Sequence, residues 1–327
     1  MARHRTQCLS FVLLLALGLI AGCYSGPAVK GTFDRSYNVT GPIRLELNNA
    51  AGDVEITGSA DGKVHVHAEV RSSGMGLDNP KKRLDDLLAN PPVEQRGETI
   101  RIGKDMSRMS NLSISYTIQV PRDTEVSSNL ASGTQTIRGV RGPVKAQSAS
   151  GTIRAEKIER DTQLTTVSGS VSATDIGNDV RVSTATGNVN VSNAKGDVRA
   201  NALSGVIHVY KPGGRVDADA GSGEVEIQGA ASDVNAHALS GRVSVQGNPG
   251  ADSYWQLKTA SGAVQLGVPA SANLHLSAEA TSGEIRTDIP IVVEEQGKHS
   301  LRAHMGSGGG RVDIHTVSGE IRVIGAN

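Results

Sequence analysis

The sequence predicts an all-β fold, a parallel β-solenoid (β-helix) of 18–21-residue coils with one short capping helix near residues 80–89. Three observations predict it. First, a glycine preceded by Ser or Thr recurs at Gly133, Gly151, Gly169, Gly187, Gly205, Gly223 and Gly241, each 18 residues from the last. Gly262 and Gly283 follow at intervals of 21, and Gly319 after 36, twice 18. A fixed period in this range marks stacked repeats. Second, positions two and four after the glycine are apolar, as in Ile153 and Ala155, Val189 and Val191, or Val225 and Ile227. Third, positions seven and five before it are apolar too, as in Val180 and Val182 or Val234 and Ala236. Polar residues fill the gaps, the period-2 pattern of a strand with one buried face.

Each period thus holds two short strands joined at a corner, where glycine adopts positive φ without a Cβ clash. One coil cannot stand alone. A few buried valines at roughly 1.5–3 kcal/mol each do not offset ordering 18 residues at about 1–2 kcal/mol of backbone entropy apiece. Stacking in parallel at about 4.8 Å merges the valine columns into one core. The Ser or Thr before each glycine offers a hydroxyl ladder along the corner. A catalytic serine is the competing reading, but a nucleophile occurs once and this motif recurs ten times.

The N-terminus is a targeting segment. Arg3 and Arg5 precede an apolar run from Leu9 to Ile20, too short for a comfortable membrane span. The run ends Leu19-Ile20-Ala21-Gly22-Cys23, which closely resembles the bacterial lipobox. That resemblance implies cleavage before Cys23, diacylglycerol on its thiol and acylation of the new amino terminus, a stable anchor. The mature chain then holds Cys23 alone, so no internal disulfide forms. Tyr24 stands where inner-membrane lipoproteins carry Asp, which favours the outer membrane of a cell envelope. The expected division is 1–22 signal peptide, 23–40 lipidated cysteine and tether, 41–123 N-terminal β cap with a short helix, and 124–327 solenoid repeats.

Within the cap, Gly52-Asp53-Val54-Glu55-Ile56 already fits the glycine pattern. His65 and His67 share a strand face but lack a third metal ligand, so exposed strand histidines are the plainer reading. Asn79 and Pro80 suit the N-cap and first turn of a helix carrying Leu84, Leu87 and Leu88, which Pro91-Pro92 ends. Such a helix covers an open end of the stack. Beyond Gly247 the coils lengthen, and residues 287–310 are the largest irregularity. Trp255 falls at a buried strand position seven before Gly262, so it reads as core.

Lys+Arg and Asp+Glu each number 33, which leaves no basic footprint for nucleic acid. Eight aromatic residues in 327 argue against stacking platforms for bases or sugars. His208, His237, His275 and His315 fall on different coils, and the acidic residues are scattered among Arg and Lys. The run Gly306-Ser307-Gly308-Gly309-Gly310 does not lead from strand to helix as a phosphate loop must. No catalytic, metal or cofactor site is therefore expected.

The lipobox, Gly52-Asp53-Val54-Glu55-Ile56, the strand ending Val120-Pro121, the Ser-Gly corners and the closing stretch from Gly309 to Val323 together resemble the bacterial DUF4097 family of candidate adhesins, over about residues 40–325. The family name implies surface adhesion by analogy, and no functional residues carry over. The expected function is a non-enzymatic, lipid-anchored envelope protein. Its partners would be the membrane, through lipid on Cys23, and a protein or polysaccharide ligand. A carbohydrate-active enzyme on a β-helix and a regulatory lipoprotein acting through a protein partner are the alternatives.

Overall fold

The structure, a computed structural model, describes residues 26–74, 79–103 and 112–326. The expected signal peptide and Cys23 lie outside the described residues. The body is a two-sheet parallel solenoid. Each coil contributes a leading strand before its corner glycine and a trailing strand after it. In the Gly187 coil these are Val180–Thr186 and Val189–Ala194. The strands pair in register one period apart, so Val144, Thr162, Val180, Val198, Val216 and Val234 form one buried column. On the trailing side Ile153, Val171, Val189, Ile207 and Val225 form its counterpart. The strands Val198–Tyr210 and Val216–Ala230 run through the corner and link the two sheets.

The two edges of the stack turn by different means. At the glycine edge, Gly133, Gly151, Gly169, Gly187, Gly205, Gly223, Gly241, Gly262, Gly283 and Gly319 all take φ between 132° and 154°. A Cβ on any of them would overlap the carbonyl oxygen of the neighbouring coil's glycine, so no other residue fits. The ladder along this edge is backbone, with Gly169 N–H donating to Thr186 O at 2.8 Å and Gly187 N–H to Ser204 O at 3.0 Å. The preceding hydroxyl side chains face solvent. At the opposite edge the residue six after the glycine is left-handed. It is Gly139, Lys157, Asp175, Asn193, Lys211 and Gly229 in successive coils, with φ from 50° to 75°. There Asp179 and Asp197 each accept the main-chain N–H one coil on, at 3.0 and 2.9 Å. A carboxylate accepting main-chain N–H groups replaces what a longer turn would otherwise supply.

The N-terminal end is closed by added layers. Strand Leu112–Pro121 lies parallel on Val54–Ser59, followed outward by Lys63–Gly74 and Gly26–Asn38, both antiparallel. On the other sheet Thr99–Ile102 lies parallel on Arg44–Ala51, and Val93–Arg96 completes it. The helix Pro80–Ala89 covers the inner face of the two outermost strands, where the opposing sheet has ended. Asn79 caps it, its side chain accepting from the Lys81 and Lys82 N–H groups, with Pro80 at the first turn. Leu84 and Leu87 are buried, and Leu84 and Leu88 pack over Gly31.

One expectation needs correction. Residues 26–38, read as tether, form strand Gly26–Asn38. Its inward row includes Val29, Gly31, Phe33 and Tyr37. Phe33 sits edge-on to Tyr116, with ring centroids 6.4 Å apart, and Tyr37 donates to Val93 O at 3.2 Å. Gly31 in that row, and Arg35 between the two aromatics, blur the alternation.

The C-terminal end departs from chain order. The Gly262 coil is followed in sequence by the Gly283 coil, Leu274–Ser282 and Ile285–Thr287. The two do not touch as neighbours. The last coil, Gly310–Ser318 and Ile321–Gly325, slots between them, with Val312 paired to Trp255 on one side and Leu276 on the other. Residues 287–310 are the excursion that makes this possible. They carry a hairpin, Val292–Gln296 and Ser300–Met305, which runs antiparallel along the outer strand.

Candidate binding surface

The stack exposes two faces and two edges. The outward face of the trailing sheet carries an uncharged patch two coils wide. Ser170, Ser172 and Thr174 stand beside Asn188, Asn190 and Ser192 one coil on, and Thr152, Arg154 and Glu156 lie on the coil before them. These side chains are mostly half-exposed and repeat at about 4.8 Å between coils and roughly 7 Å along each strand. Tyr210 borders the patch beside Ser192, 44 % exposed, with the Lys211 ammonium 5.0 Å from its ring centre.

Beyond Tyr210 both the trailing and the leading face carry charged side chains in pairs. Glu226 meets His208 at 2.8 Å, Asp217 meets Arg199 at 3.3 Å and Arg215 at 3.6 Å, and Glu224 meets Arg242 at 3.9 Å. Asp219 lies 3.7 Å from His237. Each outward carboxylate of the Gly223 coil is thus matched by a basic group one coil away or on its own strand. Such exposed pairs contribute little to stability.

His65 and His67 face solvent and are engaged across the strand. His65 pairs with the Ser36 hydroxyl at 2.9 Å and His67 with Asp34 at 2.8 Å. Among the described residues, no group of three or more His, Cys, Asp or Glu side chains is arranged to hold a metal ion. No helix among them is long and apolar enough to cross a membrane. The opposite edge carries a shallow open groove of about 580 Å³, lined by Lys157, Asp175, Asn193, Lys195 and Lys211. Trp255 is fully buried, and its indole N–H donates to Ser232 O at 2.8 Å.

The glycine edge carries a column that the alternation of buried positions does not reveal. Two residues before each glycine the side chain points outward. Val167, Leu203, Leu239 and Val317 lie there, 60, 69, 61 and 47 % exposed. Ala149, Ala185, Gly221 and Ala260 occupy the coils between. Aligning the sequence at its own period displays this column, and Tyr210 likewise stands out five residues after Gly205.

No curated protein matches the chain. Several solved structures resemble it at low identity. One, from Clostridium sporogenes, is described as a candidate cell adhesion protein, with 11% identity, TM-score 0.24, and coverage of 91% of this chain and 100% of the other. A candidate adhesin from Bacteroides fragilis has 14% identity, TM-score 0.27, and coverage of 90% and 97%. A candidate lipid binding protein from Parabacteroides distasonis has 10% identity, TM-score 0.26, and the same coverage. Scores this low carry no argument about function. The family model is decisive instead. Toastrack DUF4097 matches residues 43–250 and 215–324, nearly the whole stacked body, and the chain belongs to that family.

Proposed function

We propose that this chain is a non-enzymatic, lipid-anchored binding scaffold of the bacterial cell envelope, whose trailing face takes an uncharged polysaccharide. The observation that carries the ligand class is the neutral hydroxyl and amide patch of two coils, Ser170 to Thr174 and Asn188 to Ser192, bordered by Arg154 and Glu156 on one side and Tyr210 on the other. A rigid sheet holds these donors and acceptors in place, so binding costs little ordering entropy. Over these two coils a neutral ligand needs no compensating charge, whereas an ionic one would be desolvated there against Ser, Thr and Asn. Tyr210 adds an apolar plate with a polar tip.

Anchoring rests on the lipobox at Cys23, with Tyr24 favouring the outer membrane. Strand Gly26–Asn38 begins three residues after Cys23, which an extended chain spans in about 10 Å. In this reading the helix-capped end of the stack stands close to the bilayer.

The test uses the mature chain carrying Cys23→Ser, expressed without its leader, against purified envelope polysaccharides by calorimetry, with product analysis for turnover. Binding of a neutral polymer without cleavage is expected, and Ser172→Glu with Asn190→Glu should weaken it at least tenfold. Cleavage of the polymer, or affinity indifferent to both substitutions, would overturn the reading. Fractionation of cells expressing full-length Cys23→Ser tests the anchor, since the protein should leave the membrane fraction.

A further inference from the structure

We propose a surface separate from the ligand face: the glycine edge is a self-association interface on which a second copy of this chain packs antiparallel. The exposed aliphatic side chains on it are not scattered. They form one line in register, because the flanking positions pair coil by coil, as in Ser148 with Thr166 and Ser150 with Ser168. Large and small residues alternate along that line. Leu203 of the same chain leans toward Gly221, where an added Cβ would lie 3.2 Å from its Cδ1, so this exposed side chain rotates away when another enters the notch.

This corrugation is complementary to its own reverse. With a two-fold axis between Leu203 and Gly221, Leu203 of one copy enters the Gly221 notch of the other. In the same register position 185 meets 239, 167 meets 260, and 149 meets 317, so every large side chain meets a small one. Such an isologous contact closes at two copies. Any register that sets odd coils on odd coils places leucine against leucine and leaves the alanines facing gaps.

Charge selects the same arrangement. From Gly133 to Gly205, the four residues before each corner glycine and the two after it hold no charged side chain. On the outermost Gly283 coil Glu279 and Glu284 meet Asn129 and Thr134 in this register; on the Gly223, Gly241, Gly262 and Gly319 coils the edge is flanked by Asp219, Glu224, Arg242, Lys258 and Glu320. The antiparallel register sets these opposite Asn201, Val206, Asn188, Thr165 and Thr152, with no like charges facing. A parallel, in-register pairing would instead set Asp219 against the Glu224 of the other copy. Like charges directly opposed are strongly disfavoured at an interface.

The edge from Ala131 to Val317 spans nine coils, about 38 Å at the strand spacing, and is about one sheet separation, roughly 10 Å, wide. Burial on the order of 400 Å² per copy falls below the standard interface, so the dimer is expected to be weak and concentration-dependent. The axis lies across the edge, so the trailing faces of both copies end on the same side and form one continuous surface.

The experiment uses the mature Cys23→Ser chain, which has no cysteine. Sedimentation velocity across a concentration series should show the weight-average mass rising toward twice that of the monomer. Leu203→Glu with Leu239→Glu should hold it at the monomer value with an unchanged melting temperature, since both side chains are exposed. The pair Ala185→Cys and Leu239→Cys should give an oxidised dimer linking position 185 to position 239. Within one copy these are three coils, about 14 Å, apart, too far for a disulfide. Val167→Cys alone should give none. A protein monomeric at millimolar concentration, or a dimer that Val167→Cys locks and the 185/239 pair does not, would overturn the proposal.

Discussion

The Gly187 coil and the Gly319 coil carry the same local pattern, yet they enter the stack in different ways. The Gly187 coil pairs with neighbours 18 residues away on both sides, Thr162 with Val180 and Val180 with Val198. The Gly319 coil pairs with Trp255, 57 residues before Val312, and with Leu276, 36 before it. The interior can therefore zip as the chain emerges, whereas the C-terminal end waits for its last residues. Loop-closure entropy must be met before such non-local contacts are rewarded. A shared repeat thus specifies how any two coils fit, and not which two coils meet.

Removing the Gly319 coil should have the largest effect. Truncation after Gly306 deletes four buried aliphatic side chains, Val312, Ile314, Ile321 and Val323. At roughly 1.5–3 kcal/mol each the loss is about 6–12 kcal/mol, comparable to the stability of a whole domain. It also strips the facing edges of the Gly262 and Gly283 coils and cuts Arg322 from Asp288, 2.6 Å apart, and Tyr254 from Asp313, 2.8 Å apart. Deleting Asp179–Gly196 removes as many buried valines together with their ordering entropy, and lets like meet like. That variant should fold with a modest drop in melting temperature. Deleting Asp179–Gly187 alone should not fold, because a trailing strand would then have to join the leading sheet. Circular dichroism melts of the three deletions check the order, and equal losses for the first two would remove the distinction drawn between end and interior.

The two edges of the interior give a smaller contrast. Gly187→Ala forces a Cβ onto the Gly169 carbonyl at φ 139°, and a loss of about 3 kcal/mol is expected. Lys157→Gly, at φ 55° on the other edge, should instead gain about 0.5 kcal/mol, the relief of left-handed strain less the added unfolded-state entropy. Urea titrations of both variants measure the difference. Destabilisation by Lys157→Gly would show that the lysine side chain does more at that turn than its backbone cost.

Much of this was legible because it repeats. The corner glycines, the two buried columns and the N-capped helix all follow from spacing and residue type. The left-handed turns at Lys157, Asp175, Asn193 and Lys211 were not legible, because the four positions hold three different residue types and none is glycine. The slot for the Gly319 coil was hidden for another reason. Every coil edge presents the same register of N–H and C=O groups, so sequence spacing could not say that the order is permuted. Strand Gly26–Asn38 was missed because Gly31 and Arg35 interrupt its apolar row. The aliphatic line on the glycine edge was visible in the period but lay outside the alternation of buried positions.

The smallest expected effect separates the N-terminal cap from the interior. Where interior coils place valine or isoleucine, the cap stacks Tyr116 on Val54. Tyr116 is buried, and its hydroxyl has no hydrogen-bond partner among the described residues. An unpaired buried hydroxyl costs about 1–3 kcal/mol, some of which the ring recovers by packing. Tyr116→Phe keeps the edge-on contact with Phe33 and should be neutral or stabilising by about 1 kcal/mol near pH 7. Desolvation raises the hydroxyl's pKa well above the ordinary tyrosine value of 10.0. The folded protein therefore holds this proton more tightly than the unfolded chain. The associated stability is complete below pH about 10 and declines as pH rises from there toward the folded pKa. The phenylalanine variant lacks that decline, so its advantage should widen above pH about 10. Melting temperatures of both proteins from pH 7 to pH 11 measure this. A constant gap would mean that the hydroxyl finds a partner in solution, a bound water being the simplest, and that the cap is as well satisfied as the interior it closes.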